Sequence, residues 1–222
     1  MRDQLLQSIG RILADHDMLK HPFYQRWNEG GLTREHLREY AAQYYHFVRE
    51  FPRMVSAVHS NVPDLEARRT LLENLMEEEG IGNKDHPSLW MQFAEALGAT
   101  REQVESTAPL PTTRALVDTM MASARDEAFP VGVAALYAYE AQVPEVSKVK
   151  IHGLKQFYGV DTPAGLEFFT VHQEADVHHS ADERDLIARH TPAALEGRVK
   201  ESAERTAKAL WGFLDGVQTL AA

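Results

Sequence analysis

Three observations predict an all-α protein. Apolar residues recur at helical spacing along nearly the whole chain, β-branched runs with period-two alternation are missing, and the breaks between periodic segments are short. The chain has 222 residues, enough for one sizeable domain over residues 1–222 and short for two. Hydrophobic residues make up 44% and charged residues 25%, as in ordinary globular chains. No repeat, low-complexity stretch or linker divides it.

The elements follow in order. Leu5, Leu6, Ile9, Ile12 and Leu13 carry a helical period over 4–20. His21-Pro22 turns the chain into a short helix over 23–28, which Gly30-Gly31 ends. Thr33 is placed to cap a long helix over 34–60, and Asn61-Val62-Pro63 stops it. Asp64 opens the next helix, to Glu79, and Gly80 to Pro87 reads as a loop. Leu89–Leu97 is a helix closed by Gly98, and Thr100-x-x-Gln103 is a capping box for a short successor. Further helices are predicted over 112–126, 130–158, 163–179, 181–190 and 193–217. Pro144 should kink the 130–158 helix and Gly159 end it. Thr162-Pro163 and Thr191-Pro192 each pair a cap residue with a first-turn proline.

Composition removes several kinds of chemistry. Cysteine is absent, which excludes disulfides, thiolate metal sites and a cysteine nucleophile. The net charge of −10 without a basic block argues against binding nucleic acid or an anionic membrane. No segment reads as a signal peptide or a membrane span, so a cytoplasmic location is expected.

The strongest chemical signal lies between His172 and His179. His172, Asp176 and His179 sit at i, i+4 and i+7, within about 60° of one another at about 100° per residue. Two imidazoles and a carboxylate on one rigid face suit a first-row metal ion. His178 points roughly 100° away from His179 and cannot join them. Glu140 is the second signal. It follows Leu136 by four and Val133 by seven in an otherwise nearly uncharged helix. A carboxylate on such a face costs several kcal/mol unless paired, and metal ligation is a sufficient reason for it. The third signal is the run Glu77-Glu78-Glu79, followed by His86. Leu71 and Leu75 share a helical stripe with Glu78, while Leu72 and Leu75 share one with Glu79, so either acid can point inward. Three histidines and three carboxylates from separate helices nearly balance two divalent ions, and nitrogen and oxygen donors without sulfur suit iron or manganese.

With these residues in view the chain resembles a known family. The matching stretches are His21-Pro-Phe-Tyr24-Gln-Arg-Trp27, Tyr44-Tyr45 with Phe51-Pro52, and His59-Ser60. Leu65-Glu-Ala-Arg68, Asn74-Leu-Met-Glu-Glu-Glu79 and Leu89-Trp90 follow. The last are Gly132-Val-Ala-Ala-Leu-Tyr-Ala-Tyr-Glu140, Phe169-Thr-Val-His172 and Glu174-Ala-Asp-Val-x-His179. Over nearly the whole chain it is similar to the haem-oxygenase-like dimetal oxidases of the TenA–PqqC superfamily, and within them to the CADD-like proteins, first known as chlamydial proteins associating with death domains.

The resemblance implies a haem-oxygenase-like seven-helix bundle, often a homodimer. It carries the metal ligands onto Glu78, His86, Glu140, His172, Asp176 and His179, with Glu79 an alternative to Glu78 because the loop to His86 is one residue longer here. It implies two metal ions (iron–manganese or di-iron), O2 and an external reductant of unknown identity. The implied activity is synthesis of p-aminobenzoate, a folate precursor, from the protein's own side chains. Tyr24 matches the tyrosine that supplies the ring, Lys150 the lysine that supplies the amino group, and Tyr139 a nearby participant.

Two other functions remain in play. The same metal site can serve an external small molecule, such as a fatty acid or an amino-acid nitrogen, and a long apolar tunnel would favour that. A protein-binding module is the other, although the acidic sequence shows no recognisable element for it. The residues alone leave Tyr24 as aromatic packing beside Phe23 and Trp27, and Lys150 as a surface residue like Lys148 and Lys155.

Overall fold

The computed structural model describes residues 2–220, which form helices joined by short turns, with no strand among the described residues. Helix α1 (Arg2–Asp15) buries Leu5, Ile9 and Leu13, and a 3-10 turn at Met18–Lys20 carries the chain on. Helix α2 (Pro22–Asn28) is short and strongly specified. The His21 ring accepts from the Phe23 N–H at its start, and Pro22 needs no N–H in the first turn. Its apolar side chains Phe23, Tyr24 and Trp27 are all buried. Helix α3 (Arg34–Ser60) begins as predicted, with Thr33 and His36 forming a reciprocal capping box.

Helix α4 (Leu65–Glu78) is capped by Asp64, α5 spans His86–Ala96, and α6 (Arg101–Ser106) carries the predicted Thr100–Gln103 capping box. Helices α7 (Pro111–Ala124), α8 (Phe129–Glu140), α9 (Val143–Phe157), α10 (Pro163–His190) and α11 (Glu196–Thr219) complete the bundle. Helix α3 packs against α4, α5 and α7, while α10 lies against α5, α8 and α9, and α11 against α1, α7 and α8. One continuous hydrophobic cluster runs from Leu5 to Val217 through all of these helices. No helix among the described residues is long and apolar enough to cross a membrane.

Five boundaries differ from the expectations; the first is the helical period over 4–20, which stops at Asp15 because the Asp17 side chain caps a separate 3-10 turn through the Leu19 N–H at 3.0 Å. The predicted helix over 130–158 is two helices, α8 and α9, broken at Ala141-Gln142. Pro144 lies in the first turn of α9, where its missing N–H and ring clash stop the preceding turns from continuing. Glu140 is thus the last residue of α8. The predicted helices over 163–179 and 181–190 are one, α10, because the Ser180 hydroxyl is satisfied inside the helix by the Asp176 carbonyl at 2.6 Å. His86 is not in a loop but opens α5, since the Asp85 carboxylate caps that helix through the Ser88 N–H at 2.8 Å. Thr191 closes α10, and Pro192 leads into a 3-10 turn rather than directly into α11.

Candidate metal centre

Three helices bring five ligand-type side chains into the interior, and α5 adds the sixth with its first residue. Glu78 closes α4, His86 opens α5, Glu140 closes α8, and His172, Asp176 and His179 form the stripe on α10. All six are buried. They fall into two groups of three, Glu78–His86–His172 and Glu140–Asp176–His179, whose ligand atoms lie within 4.8 Å of one another. Each group could hold one metal ion. Glu78 is inward and Glu79, capping the end of α4, is exposed, so the geometry favours Glu78 over its neighbour.

The hydrogen bonding around the six supports this fit. His86 Nδ1 approaches a Glu78 carboxylate oxygen to 2.9 Å, yet this nitrogen has no hydrogen bond of acceptable geometry. Both Asp176 carboxylate oxygens and His179 Nδ1 are likewise buried without partners. Orphaned buried groups are costly, and several converging on one place are what a cation resolves. The outer atoms of the rings are anchored instead. His172 Nδ1 donates to the Phe168 carbonyl at 2.7 Å, which leaves Nε2 for an ion. His179 Nε2 is 3.3 Å from the half-exposed Glu77 carboxylate, which leaves Nδ1 facing Glu140 and Asp176 at 3.6 and 3.5 Å. Asn74 donates to both oxygens of Glu140, at 3.0 and 3.2 Å, and fixes its plane.

Without an ion, protons hold the centre together. Burial pushes the Asp176 carboxyl up to about 8, against the pull of the His179 ring 3.5 Å away. Burial disfavours the His179 cation, but its contacts with Asp176 and Glu140 outweigh that and lift it to about 11. Burial and the neighbouring His86 hold His172 well below the usual imidazole range. Burial opposes charge on Glu140, yet His179 and Asn74 keep its carboxyl low.

Beyond the ligands stands a wall of tyrosines. Tyr139 precedes Glu140, and its hydroxyl accepts from Tyr44 at 3.0 Å. The Tyr44 ring stacks on Tyr40, with centroids 5.6 Å apart and planes at 22°. Lys150, predicted from its residues alone to be solvated, is buried on α9. Its ammonium donates to the Tyr40 hydroxyl at 2.6 Å and lies 5.8 Å from the Tyr24 ring centroid. Tyr44, Trp90 and Phe169 close the cage at 5.1, 5.4 and 5.2 Å. Burial lowers the Lys150 ammonium to about 7, so a sizeable fraction of neutral amine exists near neutral pH. Burial raises the hydroxyls of Tyr24, Tyr40, Tyr44 and Tyr139, which stay protonated.

Every predicted site residue is therefore in the interior. The six ligand candidates meet in two adjoining groups, while Tyr139 joins them to the cage that holds Lys150 and Tyr24. The sequence reading missed Tyr40, Asn74 and Glu183. Tyr40 sits one helical turn before Tyr44, and Asn74 one turn before Glu78; both offsets were visible in the sequence. Glu183 is a buried acid on α10 against Glu140, and burial with that neighbour holds its carboxyl well above the usual range.

Known proteins agree with this architecture. The family model described as iron-containing redox enzyme matches residues 38–211. A 4-aminobenzoate synthase of Chlamydia muridarum is 42% identical over 210 residues, covering 95% of this chain and 88% of the relative. A 4-aminobenzoate synthase of Nitrosomonas europaea is 43% identical over 222 residues, covering 95% and 89%. A CADD-like protein of unknown function from Nostoc punctiforme shares the fold, with a TM-score of 0.81 at 19% identity over 99% of this chain and 98% of that one. The donor set, the helical bundle around it and the family match lead to one conclusion: this chain belongs to the iron-containing redox enzymes with a haem-oxygenase-like fold.

Proposed function

We propose that this chain makes 4-aminobenzoate from its own side chains, Tyr24 supplying the ring and Lys150 the amino nitrogen. One observation carries the reading: a buried lysine with its pKa lowered to about 7 lies 5.8 Å from the Tyr24 ring, inside a tyrosine cage that abuts the ligand stripe. A desolvated amine is a nucleophile, and nothing else in the cage explains a buried cation with one hydrogen-bond partner. The activity named for the similar chlamydial and Nitrosomonas proteins supports the product.

Glu78, His86 and His172 would hold one metal ion, and Glu140, Asp176 and His179 the second, as iron–manganese or di-iron. The ions supply reduction of O2 with electrons from an external reductant. The protein's own residues do the rest. Asn74, Glu77 and the Phe168 carbonyl orient the ligands. Tyr139 and Tyr44 connect the ligand side of the bundle to the cage, and Tyr40 holds the Lys150 nitrogen. A cleft of about 620 Å³ lined by Met76, Ile81, Lys84, Glu167 and Val171 reaches His86 of the first group of ligands.

The test labels the protein rather than a substrate. Chain produced with ¹³C-tyrosine and ¹⁵N-lysine is loaded with iron and manganese, then given reductant and O2. Product carrying both labels, at less than one equivalent per chain, is expected. Unlabelled product only, formed when an extract of small molecules is added, overturns self-sacrifice in favour of an external substrate.

A further inference from the structure

Glu183 belongs to none of the roles above, and its position needs a reason. On the unbroken helix α10 it follows His172 by eleven residues, Asp176 by seven and His179 by four. At about 100° per residue these four side chains fall on one stripe, so Glu183 extends the ligand row by one more turn. It is 1% exposed, and neither carboxylate oxygen has a hydrogen-bond partner. The Glu140 and Asp176 carboxylates are close enough to repel its charge.

We propose that Glu183 is a seventh metal ligand, a carboxylate that joins the ion held by Glu140, Asp176 and His179. The proposal rests on the ligand reading above and extends it. Charge supports it. Six ligands bring three carboxylates against the four positive charges of two divalent ions, leaving one positive charge buried. A fourth carboxylate removes that excess. Coordination supports it as well. Three protein donors are few for an oxygen-preferring iron or manganese ion, and Glu183 is the one further buried acid among the described residues, on the same helix stripe as Asp176 and His179. A structural carboxylate at this depth would have a donor to satisfy it, and Glu183 has none. The glutamate side chain has three rotatable torsions, the last of them soft, so a short swing from Glu140 to the ion costs little.

The experiment titrates apoprotein with Co(II), whose visible absorption reports coordination number, and compares wild type with Glu183→Gln and Glu183→Asp. The glutamine is isosteric and neutral, so it preserves packing. Expected are two ions per wild-type chain, a loss of about tenfold or more in affinity for one ion only in Glu183→Gln, and a changed absorption band for that ion. Glu183→Asp should recover part of the affinity if ligation is the role. Two ions with wild-type affinities and spectrum in Glu183→Gln overturn the seventh ligand while leaving the six intact. Fewer than two ions on the wild type overturn both the six-ligand reading and this extension of it.

Discussion

The ammonium of Lys150 donates a 2.6 Å hydrogen bond to the hydroxyl of Tyr40, and aromatic rings surround the rest of it. One neutral acceptor is thin compensation for a buried cation, so burial lowers its pKa to about 7. Between that value and the ordinary 10.5 the unfolded chain binds this proton and the folded chain does not. Folding stability due to Lys150 therefore rises with pH across that window and is lost as pH falls through it. Urea unfolding of apoprotein should show wild type gaining on Lys150→Met as pH is raised from 7 towards 10, by up to about 1.4 kcal/mol per pH unit. A difference that stays flat with pH would show that the amine is charged in the fold.

Metal loading should release protons. At neutral pH the apoprotein's second group holds a proton on His179, raised to about 11, and largely one on Asp176, raised to about 8. An ion must displace them. Calorimetry of Mn(II) binding at pH 7 in buffers of different ionisation enthalpy should report about two protons released by the ion of this group, and a third if Glu183 joins it. Affinity should weaken as pH falls. Binding with no buffer dependence would contradict the proton-held centre.

Asn74 is expected to matter only through Glu140. Its amide nitrogen meets both carboxylate oxygens, and no other residue type of that size offers the same donor to both. Asn74→Leu should reduce affinity for one of two Co(II) ions by about tenfold to a hundredfold with a cooperative melt retained. Equal weakening of both ions would point to a general collapse of the site instead.

Gly153 on α9 sets the closeness of Tyr24 to Lys150. A Cβ placed there would come to 2.4 Å from Trp27 Nε1 and 2.6 Å from Trp27 Cδ1, and that indole is fully buried. Trp27 lies three residues after Tyr24, and Gly153 three after Lys150. Gly153→Ala should cost about 1–3 kcal/mol through overpacking, despite the better helix propensity of alanine. It should also cut the yield of labelled product by pushing α2 off α9. A variant as stable as wild type would mean that the indole has room to move.

Much of this arrangement was legible before any coordinates. Helix periodicity and caps such as Thr33, Thr100 and Thr162 are local, and the structure keeps each of them. The His172, Asp176 and His179 stripe depends only on helical geometry within α10. Lys150 was not legible from spacing. Its burial comes from α9 turning away after Ala141-Gln142, which voids any angle counted from Glu140 along one helix. Glu183 was hidden by the opposite error. A break expected between the 163–179 and 181–190 helices separated it from the ligand row, whereas α10 runs unbroken with the Ser180 hydroxyl bonded to a carbonyl of the same helix. Tyr40 gained its meaning from a contact 110 residues away in sequence, which no local pattern encodes.

The burial of Tyr24 has a consequence for supply and disposal. The ring is 2% exposed and wedged against Phe23, Trp27 and Tyr40. If that ring leaves as product, the chain keeps a hole where an aromatic side chain was, at a cost of about 3–5 kcal/mol. Typical domains have only about 5–15 kcal/mol to lose. The spent chain would therefore be marked for clearance by its own instability, because proteases take the less stable fraction first. Output would then follow the rate at which fresh chains are synthesised, so that translation sets the flux of the vitamin precursor and turnover number loses its meaning.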